Sequence, residues 1–250
     1  MKLSQRVRRR SGELCFDPRV DLAAEQPEPR LRWINELALP ASSVVDFGCW
    51  TGGALSIVAA SAGRAVGVDI PGPWIDEARR RLPSAEIITV PSFTDLPREL
   101  SDQFELALFL ETLEHIPRRL EPLALRSIYQ SLRPGGTLVL STPLAGLGAV
   151  LDPAWVVVGH RHYRRSTLRR LLEGVGFSSV QIRYSGNLHT SVDIFGMYGK
   201  KYLLGRPRTS SAAMRARIDT GLFDRRSLAT PTVWALARRP LADEGGGPPL

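Results

Sequence analysis

The chain has 250 residues, of which 43% are hydrophobic and 23% are charged, a composition typical of an ordinary globular protein. Two cysteines are too few for a disulfide scaffold, and no apolar run approaches the roughly 18 residues that a membrane-spanning helix needs. The net charge of +8 would suit a nucleic-acid or membrane partner, but its excess lies in residues 1–10 and 200–239, and the chain between them is mildly acidic. The basic start lacks the apolar stretch of a signal peptide, so we expect a cytoplasmic protein.

Strands and helices alternate along most of the chain. Short apolar strands are predicted at Val44–Phe47, Ala65–Ile70, Glu86–Val90, Phe104–Leu110, Thr137–Thr142, Ser178–Tyr184 and Thr232–Ala237. Helical patterns lie before and between them, at Glu28–Leu39, Ala54–Ala62, Pro73–Leu82, Pro122–Leu132 and Thr167–Val175. Strands that are separated by helices pack as a parallel sheet. The sequence therefore predicts an α/β fold, a Rossmann-like, seven-stranded and mostly parallel sheet with helices on both faces.

One decorated domain is predicted rather than two. Residues 1–30 are basic at their start and rich in proline, which indicates an arm or cover. The fold itself is expected over residues 31–240, with an insertion at 188–230 between the last two strands and a flexible tail at 241–250. The insertion mixes aromatic and basic residues, so a cap over an acceptor site, a membrane surface and an anionic partner such as RNA remain alternatives for it. Its stretch over 206–217 is predicted as a mobile loop.

The first predicted strand runs into a glycine-rich turn and then a helix. Glycines such as Gly48 and Gly52 let the backbone of a turn approach a ligand closely. Asp69 ends the next strand about 20 residues later, a place from which a carboxylate can bind a ribose diol. A tight turn followed by a helix-capping acid is the alternative. Because the turn and the acid occur together, the sequence favours a ligand site.

Three further segments accompany this turn. They are FELALFLETLEHI over Phe104–Ile116, LRPGGTLVLSTP over Leu132–Pro143 and GHRHYRRSTLRRLLEGVGF over Gly159–Phe177. Together with the turn and Asp69, they resemble the class I S-adenosylmethionine-dependent methyltransferases. The resemblance implies S-adenosylmethionine as the cofactor. The LRPGG and LEHI stretches disfavour a nicotinamide cofactor, which is the other ligand expected for a glycine turn followed by an acid.

The resemblance also implies which residues hold the cofactor. Asp46 and the backbone of Gly48 would flank its methionine end, and Asp69 would bind its ribose. The full implied set is Asp46, Gly48, Cys49, Trp50, Gly52, Asp69, Ile70, Ser92 and Phe93. Trp50 stands where the family usually has its middle glycine. We expect an altered turn there, with ordinary backbone angles and a side chain that turns away.

A second candidate site follows the fourth strand. Glu111, Glu114 and His115 are spaced so that one helical turn would place them on the same side. Together with His160 they are a predicted site for Mg²⁺ or another divalent cation. The segment resembles metal-dependent O-methyltransferases of quinone biosynthesis and the 2′-O-methyltransferases of small-RNA ends. His115 and His160 are the predicted catalytic residues. A histidine base without a metal, and a purely structural segment, remain alternatives.

The predicted activity is methyl transfer from S-adenosylmethionine to a sugar or phenolic hydroxyl of a small molecule. A 2′-O-methyltransferase of RNA ends is one alternative. A non-catalytic binding protein with the methyltransferase fold is another, and Trp50 is its sequence support. The expected partner is a small-molecule acceptor; nucleic acid is disfavoured, and a peripheral membrane contact and the oligomeric state are left open.

Overall fold

The strands of the structure fall close to the predicted segments. The structure, a computed structural model, describes residues 34, 37, 40–146, 160–204, 211–219 and 230–242. Its strands are β1 (Ser43–Phe47), β2 (Arg64–Asp69), β3 (Glu86–Thr89), β4 (Phe104–Leu110), β5 (Leu132–Pro143), β6 (Ser178–Ser185) and β7 (Thr232–Arg238). They form one sheet in the order β3-β2-β1-β4-β5-β7-β6, in which β7 is antiparallel to both of its neighbours. The other pairings are parallel, so the predicted mostly parallel sheet of seven strands is confirmed.

Helices connect and cover these strands. Within the described residues they are α1 (Gly53–Ala59), α2 (Trp74–Arg81), α3 (Glu121–Ser131), α4 (Arg165–Val175), α5 (Leu188–Leu204) and α6 (Ala212–Asp219). Ile34 and Leu37 are helical too, as predicted, and the rest of that predicted helix lies outside the described residues. So do the predicted arm over 1–30 and all of the predicted tail beyond residue 242. In the part of the chain that the structure describes, no helix has the length and apolar character to cross a membrane.

Both faces of the sheet are buried. Val45 in β1 belongs to a core cluster that also contains apolar residues of α3 and α4. Its neighbour Val44 belongs to a second cluster, which Leu55 of α1 joins. Successive strand residues point to opposite faces, so a strand that is covered on both sides has to be apolar at every position. This explains the continuous apolar runs in the sequence and places helices on both faces.

The LRPGG stretch lies inside β5 rather than before it. β5 begins at Leu132, and its pairing with β4 shifts register between Phe104 and Leu106. A Cβ at Gly136 would lie 2.9 Å from the carbonyl oxygen of Phe104, so only glycine fits this irregularity. The strand therefore extends beyond both ends of the predicted Thr137–Thr142.

Two helices occupy the described part of the predicted insertion. Asn187 precedes α5, and its Oδ1 accepts a hydrogen bond from the backbone N–H of Thr190 at 3.0 Å. The Nδ2 of Asn187 donates to the carbonyl of Arg217 in α6 at 3.0 Å, which connects the two helices. Because α6 spans Ala212–Asp219, the loop predicted over 206–217 is wrong for the described residues of that stretch.

Candidate functional site

The turn after β1 packs directly against the segment after β4. Gly48 has a φ of 79°, and its N–H donates to the carbonyl of Val68 at 2.7 Å. A Cβ at Gly48 would lie 2.2 Å from Oγ1 of Thr112, so no larger residue fits without movement. β1 and β4 are parallel neighbours, and both turns therefore leave the same edge of the sheet. The structure thus brings the predicted cofactor turn to the predicted acceptor segment.

Gly52 closes the same turn. It has a φ of 79° and lies immediately before α1. A Cβ at this position would lie 2.8 Å from Cδ1 of Leu82. Both predicted glycines therefore combine a left-handed backbone with close packing, which explains why glycine is needed at each position.

Trp50 keeps the left-handed backbone of the glycine that it replaces. Its φ is 49°, so the expected ordinary backbone angles are wrong. A left-handed conformation costs a non-glycine residue about 1–2 kcal/mol. The ring of Trp50 stacks on that of Trp74 with a centroid distance of 4.7 Å and an interplanar angle of 17°, and the expectation that it turns away from the cofactor stays a prediction. Such an aromatic pair stabilises by about 0.5–1.5 kcal/mol beyond burial, which offsets much of the strain.

The Asp69 carboxylate accepts hydrogen bonds from the glycine turn and from the residue after its own strand. Its Oδ2 accepts the N–H of Trp50 at 2.8 Å, and its Oδ1 accepts the N–H of Ile70 at 2.7 Å. Burial raises the pKa of Asp69 to about 6, although these two hydrogen bonds and the Trp74 side chain act to lower it. Each carboxylate oxygen has two lone pairs and can accept a second hydrogen bond. The position is therefore compatible with the predicted ribose contact.

Asp46 carries the most unusual carboxyl group of the site. It is buried, and its Oδ2 has no hydrogen-bond partner among the described residues. Burial, followed by repulsion from Asp69, raises the pKa of Asp46 to about 8. A buried carboxyl oxygen without a partner is costly unless a ligand supplies a donor or a positive charge. S-Adenosylmethionine carries both, so the residues of the turn fit this cofactor.

The remaining predicted cofactor residues contribute differently. Cys49 is buried, and this burial raises the pKa of its thiol. Its Sγ packs against Gly67 of β2, where an added Cβ would lie only 2.9 Å from it. Its side chain therefore faces the sheet, and only its backbone is available to a ligand. Ser92 shares a hydrogen bond with Thr94, and the buried ring of Phe93 packs in the core. Any contact of Phe93 with adenine is thus left to its backbone.

The two glutamates of the E-x-x-E-H segment do not share one helical face. Glu111 has a φ of 49°, and the residues after it form a short 3₁₀ turn over Leu113–His115 instead of an α-helix. Oε1 of Glu111 accepts the hydroxyl of Ser141 at 3.0 Å. Glu114 is buried, and its Oε2 accepts the hydroxyl of Thr142 at 3.0 Å. Both carboxylates are held against the end of β5.

The two predicted catalytic histidines do come together. The rings of His115 and His160 lie 4.5 Å apart between centroids, with an angle of 88° between their planes. Within the described residues, however, no three His, Cys, Asp or Glu side chains are arranged to hold a metal ion. The predicted ligand set of Glu111, Glu114, His115 and His160 is therefore not assembled, and metal assistance stays a prediction.

Several residues around this pair were not predicted as site residues, although Thr112, Arg161 and Tyr163 lie in the segments that carry the family resemblance. Arg161, Tyr163 and Glu121 form a hydrogen-bonded group beside the histidines. Tyr163 is buried among the core residues. Thr112 and Trp74 also escape prediction, since each acquires its place through contact with a distant turn. The HRHYR stretch after β5, with its aromatic and basic residues, is the sequence signal that could have indicated Arg161 and Tyr163.

Known proteins resemble the chain over most of this architecture. A family model described as "Methyltransferase domain" matches residues 7–182. The ubiquinone biosynthesis O-methyltransferase of Xanthomonas campestris is 34% identical over 141 residues, which cover 51% of this chain and 57% of that protein. The chain thus spans little more than half the length of this curated relative.

Solved structures show the same fold at low sequence identity. A SAM-dependent methyltransferase from Thermotoga maritima is similar with a TM-score of 0.62 at 15% identity, over 86% of this chain and 90% of that one. A SAM-dependent methyltransferase from Archaeoglobus fulgidus has a TM-score of 0.58 at 17% identity, over 84% of this chain and 92% of that one. At these identities the likeness concerns the fold.

Proposed function

Because the chain belongs to the methyltransferase-domain family, we propose that it transfers a methyl group from S-adenosylmethionine to a hydroxyl oxygen of a small molecule. The observation that supports this most directly is the contact of Gly48 with Thr112. It joins the cofactor turn to the segment that bears His115. A methyl donor held at the turn would thus face an acceptor held beside the histidine pair.

The cofactor residues have separate tasks in this proposal. The cofactor supplies a methyl group on a positively charged sulfur, which makes the methyl carbon electrophilic. Asp69 would accept the ribose hydroxyls while its own position is held by the N–H groups of Trp50 and Ile70. Asp46 would offer its partnerless oxygen to the positive end of the cofactor. Gly48 and Gly52 keep the backbone close enough for these contacts.

The histidine pair suits an acceptor that must lose a proton. Methyl transfer to oxygen is accelerated by correct alignment of the two reactants and by removal of the hydroxyl proton. An imidazole has an ordinary pKa of about 6.5 and a phenol one of about 10, a gap that a positioned base can bridge. His115 or His160 would take that proton. Phenolic acceptors are therefore favoured over sugar hydroxyls, whose protons are harder to remove. The X. campestris relative is an O-methyltransferase by name, which supports oxygen as the acceptor atom.

Calorimetry and turnover test this proposal in two steps. S-Adenosylmethionine should bind the purified chain, and Asp69→Ala should weaken that binding. With 3,4-dihydroxybenzoate as a phenolic probe, we expect formation of S-adenosylhomocysteine and of a methylated product. No binding by the unmodified chain at millimolar cofactor would contradict the proposal.

Histidine variants test the acceptor site separately. His115→Ala and His160→Ala should each lower kcat by about 10²–10⁴-fold, the usual contribution of a positioned base, and leave the Kd of the cofactor unchanged. His189→Ala is the matched control, because His189 is an exposed residue of α5. If His115→Ala and His160→Ala both keep their activity, neither histidine is the general base. Loss of activity in EDTA with recovery in Mg²⁺ would instead support the metal interpretation.

A further inference from the structure

Arg161 fastens the loop after β5 to the turn after β4. Its Nη2 donates to the carbonyl of Leu113 at 2.8 Å and also to the carbonyl of Ile116. These two carbonyls lie on either side of His115 in the chain, and Arg161 itself directly follows His160. One guanidinium group therefore holds both of the segments that bear the histidine pair.

Arg161 is held in turn by two buried residues. Its Nη2 lies 3.1 Å from Oε1 of Glu121, the first residue of α3, whose side chain is only 3% exposed. The hydroxyl of Tyr163 donates to the same oxygen at 2.9 Å and accepts a hydrogen bond from Nε of Arg161 at 3.2 Å. Glu121, Tyr163 and Arg161 thus form one connected group, which we term the arginine clamp.

The backbone of Tyr163 anchors the clamp to the sheet. Its N–H donates to the carbonyl of Pro143 at 2.8 Å, and its carbonyl accepts the N–H of Ala145 at 2.9 Å. This pairing continues from the end of β5. The clamp consequently connects the sheet, the start of α3 and the turn that bears His115.

We propose that Arg161 is a positioning residue, which sets the separation and angle of the His115 and His160 rings. The inference rests on the proposed role of these histidines at the acceptor site. Arg161 acts through the backbone on either side of His115 and through its own covalent link to His160. The guanidinium reaches these partners from two nitrogens at a fixed angle, Nε toward Tyr163 and Nη2 toward the two carbonyls and Glu121, whereas a lysine ammonium of the same charge has a single nitrogen. Glu121 and Tyr163 keep the guanidinium in place.

Arg161→Lys tests the proposal without removing the charge that Glu121 requires. Arg164→Lys is the matched control, because Arg164 is exposed and belongs to the same loop. The readout is the set of imidazole Cε1-proton resonances in the cofactor-free protein, whose four histidines make assignment tractable. We expect Arg161→Lys to move the resonances of His115 and His160 and to leave that of His189 in place. Arg164→Lys should move neither member of the pair.

Turnover provides the functional readout. With S-adenosylmethionine and 3,4-dihydroxybenzoate, kcat of Arg161→Lys should fall about 100-fold, the loss expected from a displacement of about 1 Å at a reacting group. The Kd of the cofactor should not change, because the clamp lies outside the glycine turn. Tyr163→Phe is a second, milder variant, because it removes one hydroxyl group and leaves the ring in the core. It should also move the imidazole resonances of His115 and His160.

Two results would overturn the inference. One is that the resonances of His115 and His160 stay unchanged in both Arg161→Lys and Tyr163→Phe. The other is a shifted pair with an undiminished kcat. Failure of the proposed function has a different signature: His115→Ala and His160→Ala would both keep their activity, while the resonances would still report whether Arg161 positions the two rings.

Discussion

The two halves of the candidate site are built by different means. In the half after β1 and β2, glycine backbones and two buried carboxyl groups lie close together in a turn and a strand end. In the half after β4 and β5, side chains from three separate segments hold one another through hydrogen bonds and an ion pair. The first half depends on the conformations that the backbone of the turn can adopt. The second depends on which distant side chains arrive beside it.

This difference explains why the two halves differ in tolerance to change. A glycine at a left-handed and crowded position has no substitute, so the cofactor half should lose its shape after the addition of one methyl group. The acceptor half distributes its contacts over several partners, so the loss of one hydrogen bond should misplace groups without unfolding the chain.

The largest effect is expected for Gly48→Ala. The new Cβ would lie 2.2 Å from Oγ1 of Thr112 on a residue with a φ of 79°. Crowding and left-handed strain together should lower the free energy of unfolding by about 2–4 kcal/mol and abolish cofactor binding. Urea unfolding and calorimetry measure the two losses. Gly174→Ala is the control, because a Cβ there meets nothing within 4 Å, and it should stabilise α4 by up to about 1 kcal/mol. A Gly48→Ala variant as stable as Gly174→Ala would contradict the requirement for glycine at position 48.

A pH dependence of the stability is expected from Asp46. Its pKa rises from an ordinary 3.8 to about 8 in the folded chain, so the folded state retains a proton that the unfolded state releases. In the cofactor-free protein, the contribution of Asp46 to the free energy of unfolding should therefore be greatest below about pH 4. It should be lost progressively as the pH rises toward 8. The loss is at most about 1.4 kcal/mol for each pH unit. Thermal unfolding between pH 5 and 9 measures it, and Asp46→Asn should flatten the curve.

The affinity for S-adenosylmethionine should depend on the protonation of Asp46 in the opposite direction to the stability. A neutral carboxyl attracts a cation weakly, so affinity for S-adenosylmethionine should increase as the pH passes through about 8. Asp46→Asn should bind the cofactor more weakly and without this increase. Calorimetry at pH 6, 7, 8 and 9 provides the comparison. An affinity that is independent of pH in the unmodified chain would remove Asp46 from the cofactor site.

The smallest stability change is expected for Trp50→Gly. Glycine relieves the left-handed strain of about 1–2 kcal/mol, but it loses the stack on Trp74, worth about 0.5–1.5 kcal/mol, together with the burial of the stacked indoles, and it adds freedom to the unfolded chain. The losses exceed the gain, so the free energy of unfolding should fall by about 1–2 kcal/mol. Near-ultraviolet circular dichroism should lose the signal of the stacked indoles. A destabilisation of several kcal/mol would show that the tryptophan pair supports the turn far more than its geometry indicates.

The sequence predicted most of the fold, and it identified the glycine turn and the strand-end acid that we propose hold the cofactor. Val44–Phe47 and Phe104–Leu110 are identifiable as buried strands because each is a continuous apolar run. Gly48 and Asp69 are identifiable because a close turn and a strand-end acid require particular residue types. These properties are local, so they can be read from neighbours in the chain.

Tertiary structure decided the rest. The spacing of Glu111, Glu114 and His115 allowed an α-helical turn, but hydrogen bonds to the end of β5 hold a left-handed residue and a 3₁₀ turn there instead. Trp50 adopts the conformation of a glycine because Trp74 and Asp69 are in place to receive its ring and its N–H. Local conformations such as these differ by only a few kcal/mol, and contacts with residues far away in the chain are large enough to choose among them. Residues that are neighbours in the chain therefore predict which strands form and where the glycine turn lies, while long-range packing determines how the proposed acceptor side is arranged.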